Sequence, residues 1–153
     1  MADGEIHRSH GRMRSMKTML LLVLSLSAVI AAASTQAPDT RVFELRTYHT
    51  ATPAKLEALH ARFRRHSIKL LEQHGMTLVG FWVPTDPDKG SADTLVYLVA
   101  HKSRDAARAS WAAFGADPEW VRAKADSEQA GGGSLTTRVE SVFLSPTDYS
   151  AMK

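Results

Sequence analysis

The chain contains no cysteine. That absence excludes a disulfide scaffold, a thiolate nucleophile, a thiolate zinc site and lipid attachment through cysteine, and it leaves the redox compartment open. No serine stands in a Gly-x-Ser-x-Gly turn, so the exposed nucleophile of that strand–turn–helix is missing. Gly131-Gly132-Gly133 lacks the lysine and the helix that must follow a phosphate-cradling loop. Excess charge is missing too. Of the formal +3, residues 1–37 hold Arg8, Arg12, Arg14 and Lys17 against Asp3 and Glu5, which leaves the remainder nearly neutral. No nucleic-acid partner is expected from so balanced a surface.

What is present begins with a leader. Residues 19–33 (MLLLVLSLSAVIAAA) form an apolar and small-residue block behind a basic stretch, the make-up of a secretory signal peptide. It is short for a bilayer span, which needs roughly 20 residues. Cleavage is expected after Ala33 or Ala37, and Met16 is as good a start as Met1, since a complete leader follows it. Residues 1–37 are therefore read as leader, residues 40–149 as one folded domain, and the location as secreted or periplasmic. Membrane contact is expected only through an uncleaved leader.

The domain opens with Val42–Tyr48, in which Phe43 and Leu45 point one way and Glu44, Arg46 and Tyr48 the other. Thr52 and Pro53 supply a cap and a first-turn proline for a helix to about His74, with Leu56, Leu59, Phe63 and Leu70 on one arc and Gly75 as its stop. Arg62, Arg65 and Lys69 lie roughly opposite, as a solvated face or an anion site. Strands are expected over residues 77–83 and 94–101, joined by a turn-rich loop. Ser103 caps a helix bearing Ala107, Trp111 and Phe114, Gly115 is expected to interrupt it, and Asp117-Pro118 restarts it. Gly131–Gly133 reads as a flexible hinge before a last strand over residues 135–144. The order β-α-β-β-α-(α)-β is a ferredoxin-like α+β fold with a four-stranded antiparallel sheet. Strands two and three are apolar on both faces, yet helices cover only one. The other face is expected to meet a second copy, sheet to sheet.

Candidate chemistry is sparse. His60, His66 and His74 on the first helix have no i, i+4 pair, and His60 and His66 diverge, so no metal site is expected. His66 or His74 is the residue a haem would take, although no cofactor is required. Arg46 can grip an anionic or carbonyl oxygen, Tyr48 can donate a hydrogen bond, and His66 can move protons. The alternative is a cross-strand lattice of Glu44, Arg46 and Tyr48 with Arg138 and Glu140. Trp82, Tyr97, Trp111 and Trp120, with His101 at the end of the third strand, are core or the lining of a ligand cavity between sheet and helices.

Glu44-Leu-Arg-Thr-Tyr48, Glu72-Gln-His-Gly75, Leu78-Val-Gly-Phe-Trp82, Leu95-Val-Tyr-Leu98, Ser103, Arg108 with Trp111, and Asp117-Pro-Glu-Trp120 follow one another as in the NIPSNAP domain. Over about residues 41–148 the chain resembles that family. The resemblance implies the dimeric α+β barrel, in which two ferredoxin-like sheets close on each other. Related barrels include cofactor-independent monooxygenases and haem-handling enzymes, an analogy of fold only. Two functions follow as expectations. One is a homodimeric barrel binding a small apolar or aromatic molecule, with a monooxygenase-like version using Arg46, Tyr48 and His66. The other is a non-catalytic interaction module of the cell envelope.

Overall fold

A computed structural model describes residues 41–153, so the leader expected over residues 1–37 lies outside the described residues. Four strands form one antiparallel sheet: β1 (Val42–His49), β2 (Thr77–Trp82), β3 (Thr94–His101) and β4 (Arg138–Leu144), in the order β2-β3-β1-β4. The helices α1 (Pro53–Arg62), α2 (Ile68–Gln73), α3 (Arg104–Ala116) and α4 (Pro118–Ala130) pack on one of its faces. The ferredoxin-like α+β fold is thus the observed one.

Local chemistry explains the boundaries. Thr52 accepts a hydrogen bond from the Lys55 amide at 3.2 Å, with Pro53 in the first turn. Ser103 caps α3 through the Ala106 amide, and Asp117 caps α4 through the amides of Glu119 and Trp120. Between α1 and α2, Phe63–Ser67 form one π-helical turn, so residues 53–73 are a single helix with one widened turn. It ends where Gly75, at φ +78°, closes a Schellman cap: the Gly75 amide bonds Glu72 and the Met76 amide bonds Leu71. Met76 and Leu71 are both buried, the apolar contact that accompanies this cap.

The main core lies between helices and sheet: Leu56, Leu59, Phe63, Leu70, Leu71 and Phe114 meet Leu95, Tyr97 and Val99. Leu59 and Leu70 are almost wholly enclosed, and truncating such a leucine to alanine costs about 2–5 kcal/mol.

Several expectations are corrected. Gly115 does not interrupt α3, which continues to Ala116, because an exposed glycine in a helix costs only about 1 kcal/mol. The three glycines are no hinge. The Gly132 amide bonds Gln129 and the Gly133 amide bonds Glu128 at 2.7 Å, a second Schellman cap with Gly132 at φ +72°. The last strand begins at Arg138, since Leu135 is a fully buried plug packed against Gly131.

In β2 the pairing skips from Leu78↔Val99 to Gly80↔Leu98, leaving Val79 as the extra residue of a bulge. The bulge reverses the alternation, so Leu78 and Phe81 both face the helices while Gly80 and Trp82 face away. The indole of Trp82 lies across Gly80, where an added Cβ would stand 2.7 Å from the ring.

Candidate functional site

The face of β1 that lies under the helices is the polar one. Glu44, Arg46 and Tyr48 pair with Val99, Tyr97 and Leu95, the core residues of β3, while Leu45 and Thr47 point outward beside Leu98 and Val96. Such an arrangement is tolerable only if the buried charges satisfy one another. They do so around one carboxylate. Glu44 Oε1 accepts from Arg46 Nη1 and from Ser141 Oγ, each at 2.6 Å. Glu44 Oε2 accepts from Trp111 Nε1 at 2.6 Å and from the His101 ring N–H at 3.0 Å. Burial pushes this carboxyl's pKa up, but the bonds from His101, Ser141, Trp111 and Arg46 outweigh it and hold the value at about 2.

Arg46 lies over the Trp111 ring at 4.2 Å and reaches Tyr48 Oη at 3.5 Å, and the Tyr97 hydroxyl donates to Tyr48 Oη at 3.0 Å. Burial disfavours the Arg46 cation, yet Tyr97, Tyr48 and Glu44 more than offset it and raise its pKa. Burial, with Tyr48 alongside, drives the Tyr97 phenol well above its ordinary value. Arg46 Nε and His101 Nδ1 are buried without a partner among the described residues.

The structure therefore brings Arg46, Tyr48, Tyr97, His101 and Trp111 together and adds two groups that the sequence reading left out of the site, Glu44 as its hub and Ser141. The alternation of Glu44 with Arg46 and Tyr48 was the available signal. Missing was the side of the sheet on which they lie. The lattice expected with Arg138 and Glu140 does not form, because Glu140 pairs with Thr47 and Arg138 with His49, on the opposite face. There Arg138 Nη1 and Glu140 meet at 2.7 Å, beside His49.

Trp120 stands apart from this cluster, packed on Phe114 at 4.4 Å between ring centroids and under the Arg62 guanidinium. His74 contacts the carboxylate of Asp117 at 2.8 Å, and that bond, ahead of the opposing cost of desolvation, lowers the Asp117 pKa. His66 belongs elsewhere. It lines a groove of about 590 Å³ between α1 and α4, together with Arg62, Arg65, Ala58, Ala123 and Ser127.

A second groove of about 390 Å³ lies at the β2 edge, lined by Phe63, Ile68, Phe81, Trp82, Val83 and Leu95, with His60 and Arg64 also bordering it. The two grooves flank the π-helical turn: Phe63 and Arg64 line one, Arg65 and His66 the other. The expected divergence of His60 and His66 holds. Among the described residues no group of three or more His, Asp or Glu could hold a metal ion, and no helix is long and apolar enough to cross a membrane.

Comparisons with known proteins agree with the fold. The NIPSNAP family profile matches residues 43–151. A NIPSNAP-family protein of unknown function from Agrobacterium tumefaciens is 22% identical with a TM-score of 0.63, over 76% of this chain and 96% of its own. An uncharacterized NIPSNAP-like domain protein from Burkholderia xenovorans is 20% identical with a TM-score of 0.62, over 73% of this chain and 90% of its own. A cofactor-independent oxygenase from Streptomyces nogalater is more distant, 16% identical with a TM-score of 0.45, over 74% and 99% of the two chains. Curated proteins gave no match. With its profile matched over residues 43–151, most of the length, the chain belongs to the NIPSNAP family.

Proposed function

We propose that this NIPSNAP-family protein is an exported homodimer that binds a small apolar or aromatic molecule. The observation that carries the reading is the groove at the β2 edge. Its volume of about 390 Å³ is in the range that holds small ligands. Its walls are Phe63, Ile68, Phe81, Val83 and Leu95, with His60 and Arg64 as polar groups able to orient a guest. Phe63 and Phe81 are edge-on at 5.6 Å and Phe81 stacks on Tyr97 at 5.4 Å, so the aromatic wall is braced from behind.

The geometry gives little support to a monooxygenase-like role for Arg46, Tyr48 and His66 acting together. Arg46 is engaged by Glu44 and Tyr48 by Tyr97, while His66 lines the groove between α1 and α4. Titration of the full-length protein with 1-naphthol, followed by tryptophan fluorescence, tests the reading. Saturable quenching that Ile68→Trp abolishes supports it, and quenching that does not saturate, or that the variant leaves unchanged, refutes it.

The outward face of the sheet favours pairing with a second copy. Trp82, Val142 and Leu144 are 51%, 54% and 41% exposed there, beside half-buried Leu45, Val96 and Leu98. A contiguous apolar band of this kind is what a sheet-to-sheet interface covers. The same band supports the second reading, an interaction module of the cell envelope without a small-molecule ligand. Export rests on the leader, and N-terminal sequencing of the protein from its own host checks it: a start near Ser34 or Pro38 is expected, and an intact leader overturns it.

A further inference from the structure

We propose that the groove between α1 and α4 is a second binding site, for a small organic acid whose carboxylate docks on Arg62 and whose apolar body lies along the alanines. This groove shares no lining residue with the one at the β2 edge, so the proposal stands independently of the function proposed above.

The floor is made of small side chains at helical spacing: Ala54, Ala58 and Ala61 on α1, Ala123 and Ala130 on α4. Facing methyl groups leave a slot about 590 Å³ in volume, with an apolar floor between polar rims and ample for a ten-carbon chain. Small residues alone would be only a close helix crossing. What distinguishes this one is Arg62.

Its side chain is 4% exposed, yet it is poorly partnered. Nη1 reaches Ser127 Oγ at 3.3 Å and Glu128 at 3.6 Å, the latter beyond a good hydrogen bond. Glu128 is also approached by Lys124 at 3.9 Å. The guanidinium leans on the Trp120 ring at 5.3 Å, and Nε has no partner among the described residues. A guanidinium carries five donors in a planar fork matched to a carboxylate. Holding that fork in a low-dielectric position with donors unused is costly, and burial accordingly lowers the Arg62 pKa despite Glu128 and Tyr48 nearby.

A ligand carboxylate would complete the set. The surroundings favour an anion: Arg65, which makes no ion pair among the described residues, and Lys55 also line the groove, against the single carboxylate of Asp126. Lys55 is anchored to the carbonyls of Gly133 and Ser134 at 3.0 and 2.8 Å, so its charge is fixed at one end of the slot. His66 completes the lining beside Arg65.

The test compares decanoate with decanol, which has the same chain without the charge, by amide chemical shifts of the full-length protein. Decanoate should bind at least about tenfold more tightly than decanol, with shifts at Ala58, Arg62 and Ser127. Arg62→Lys keeps the charge but loses the planar fork, and should remove most of that preference. Because Arg62 is buried, Ala61→Leu serves as the second variant: it fills the floor and should abolish decanoate binding at an unchanged melting temperature. Equal affinity for the two probes, or full binding by Ala61→Leu, overturns the proposal. Inorganic phosphate competing as well as decanoate overturns the organic-acid class. Shifts confined to Phe63, Phe81 and Trp82 also overturn it while leaving the function proposed above standing.

Discussion

Replacing Glu44 by glutamine probes the polar cluster most directly. The carboxylate is 2% exposed and accepts four hydrogen bonds, from Arg46, Ser141, His101 and Trp111. Glutamine keeps the shape but turns one accepting oxygen into an NH₂ donor, which must then face two other donors. It also leaves the Arg46 cation, 17% exposed, without its counter-charge. Breaking a buried pair from one side costs about 3–5 kcal/mol, and a domain of this size loses very roughly 3 °C of melting temperature per kcal/mol. A drop of about 10 °C near pH 7 is expected for Glu44→Gln by thermal unfolding.

The pH dependence sharpens the test. A carboxyl held at about 2 in the folded protein against 4.5 ordinarily contributes stability that is fully present above pH 4.5 and is lost as pH falls toward 2. The shift corresponds to about 3 kcal/mol at full strength. Allowance for solvent screening near exposed Ser141 brings it to about 2 kcal/mol. The gap between wild type and Glu44→Gln should therefore narrow between about pH 5 and pH 2. A variant as stable as wild type near neutrality, or a gap that does not change on acidification, would refute the reasoning.

Tyr97, enclosed and pushed well above its ordinary pKa, should fail to ionise in alkali until the protein unfolds, which ultraviolet difference titration of the wild type against Tyr97→Phe would reveal. Ionisation of the Tyr97 phenol while the protein is still folded would contradict the burial. Gly132→Ala forces a side chain to φ +72°, and should cost about 1 kcal/mol or more in a urea melt. Gly115→Ala, in an exposed helical position with open space around it, should instead stabilise by about half to 1 kcal/mol. Val142→Glu places a charge on the outward apolar face, in the edge strand β4 beside Leu45, and sedimentation should show a monomer in place of the dimer proposed for the wild type. A Val142→Glu protein that sediments like wild type would refute sheet-to-sheet pairing.

Local chemistry made most of the fold legible. Thr52, Ser103 and Asp117 act as caps as their residue types require, Gly75 stops the first helix, and β3 occupies residues 94–101 as read. Each of these rests on interactions within a few residues, which is why sequence could reveal them. The candidate sites were less legible. Arg46, Tyr48, Tyr97, His101 and Trp111 could be singled out by type, but they join through strand pairing and helix packing between residues far apart in the chain. His66 and Trp82 were grouped with them and belong elsewhere. One departed because the helix carries a π-helical turn, the other because Val79 bulges and reverses the alternation of β2. The π-helical turn has no sequence signature in this chain, whereas the isolated Gly80 inside β2 was a signal for the bulge beside it.

By itself, then, the sequence determined the order of elements, their caps and the antiparallel α+β class, all governed by short-range periodicity and capping. Only the tertiary structure decided that the polar face of β1 turns inward. Alternation along a strand specifies two faces but not which is buried, and that choice depends on Glu44 finding Ser141, His101 and Trp111 from three other elements to neutralise it.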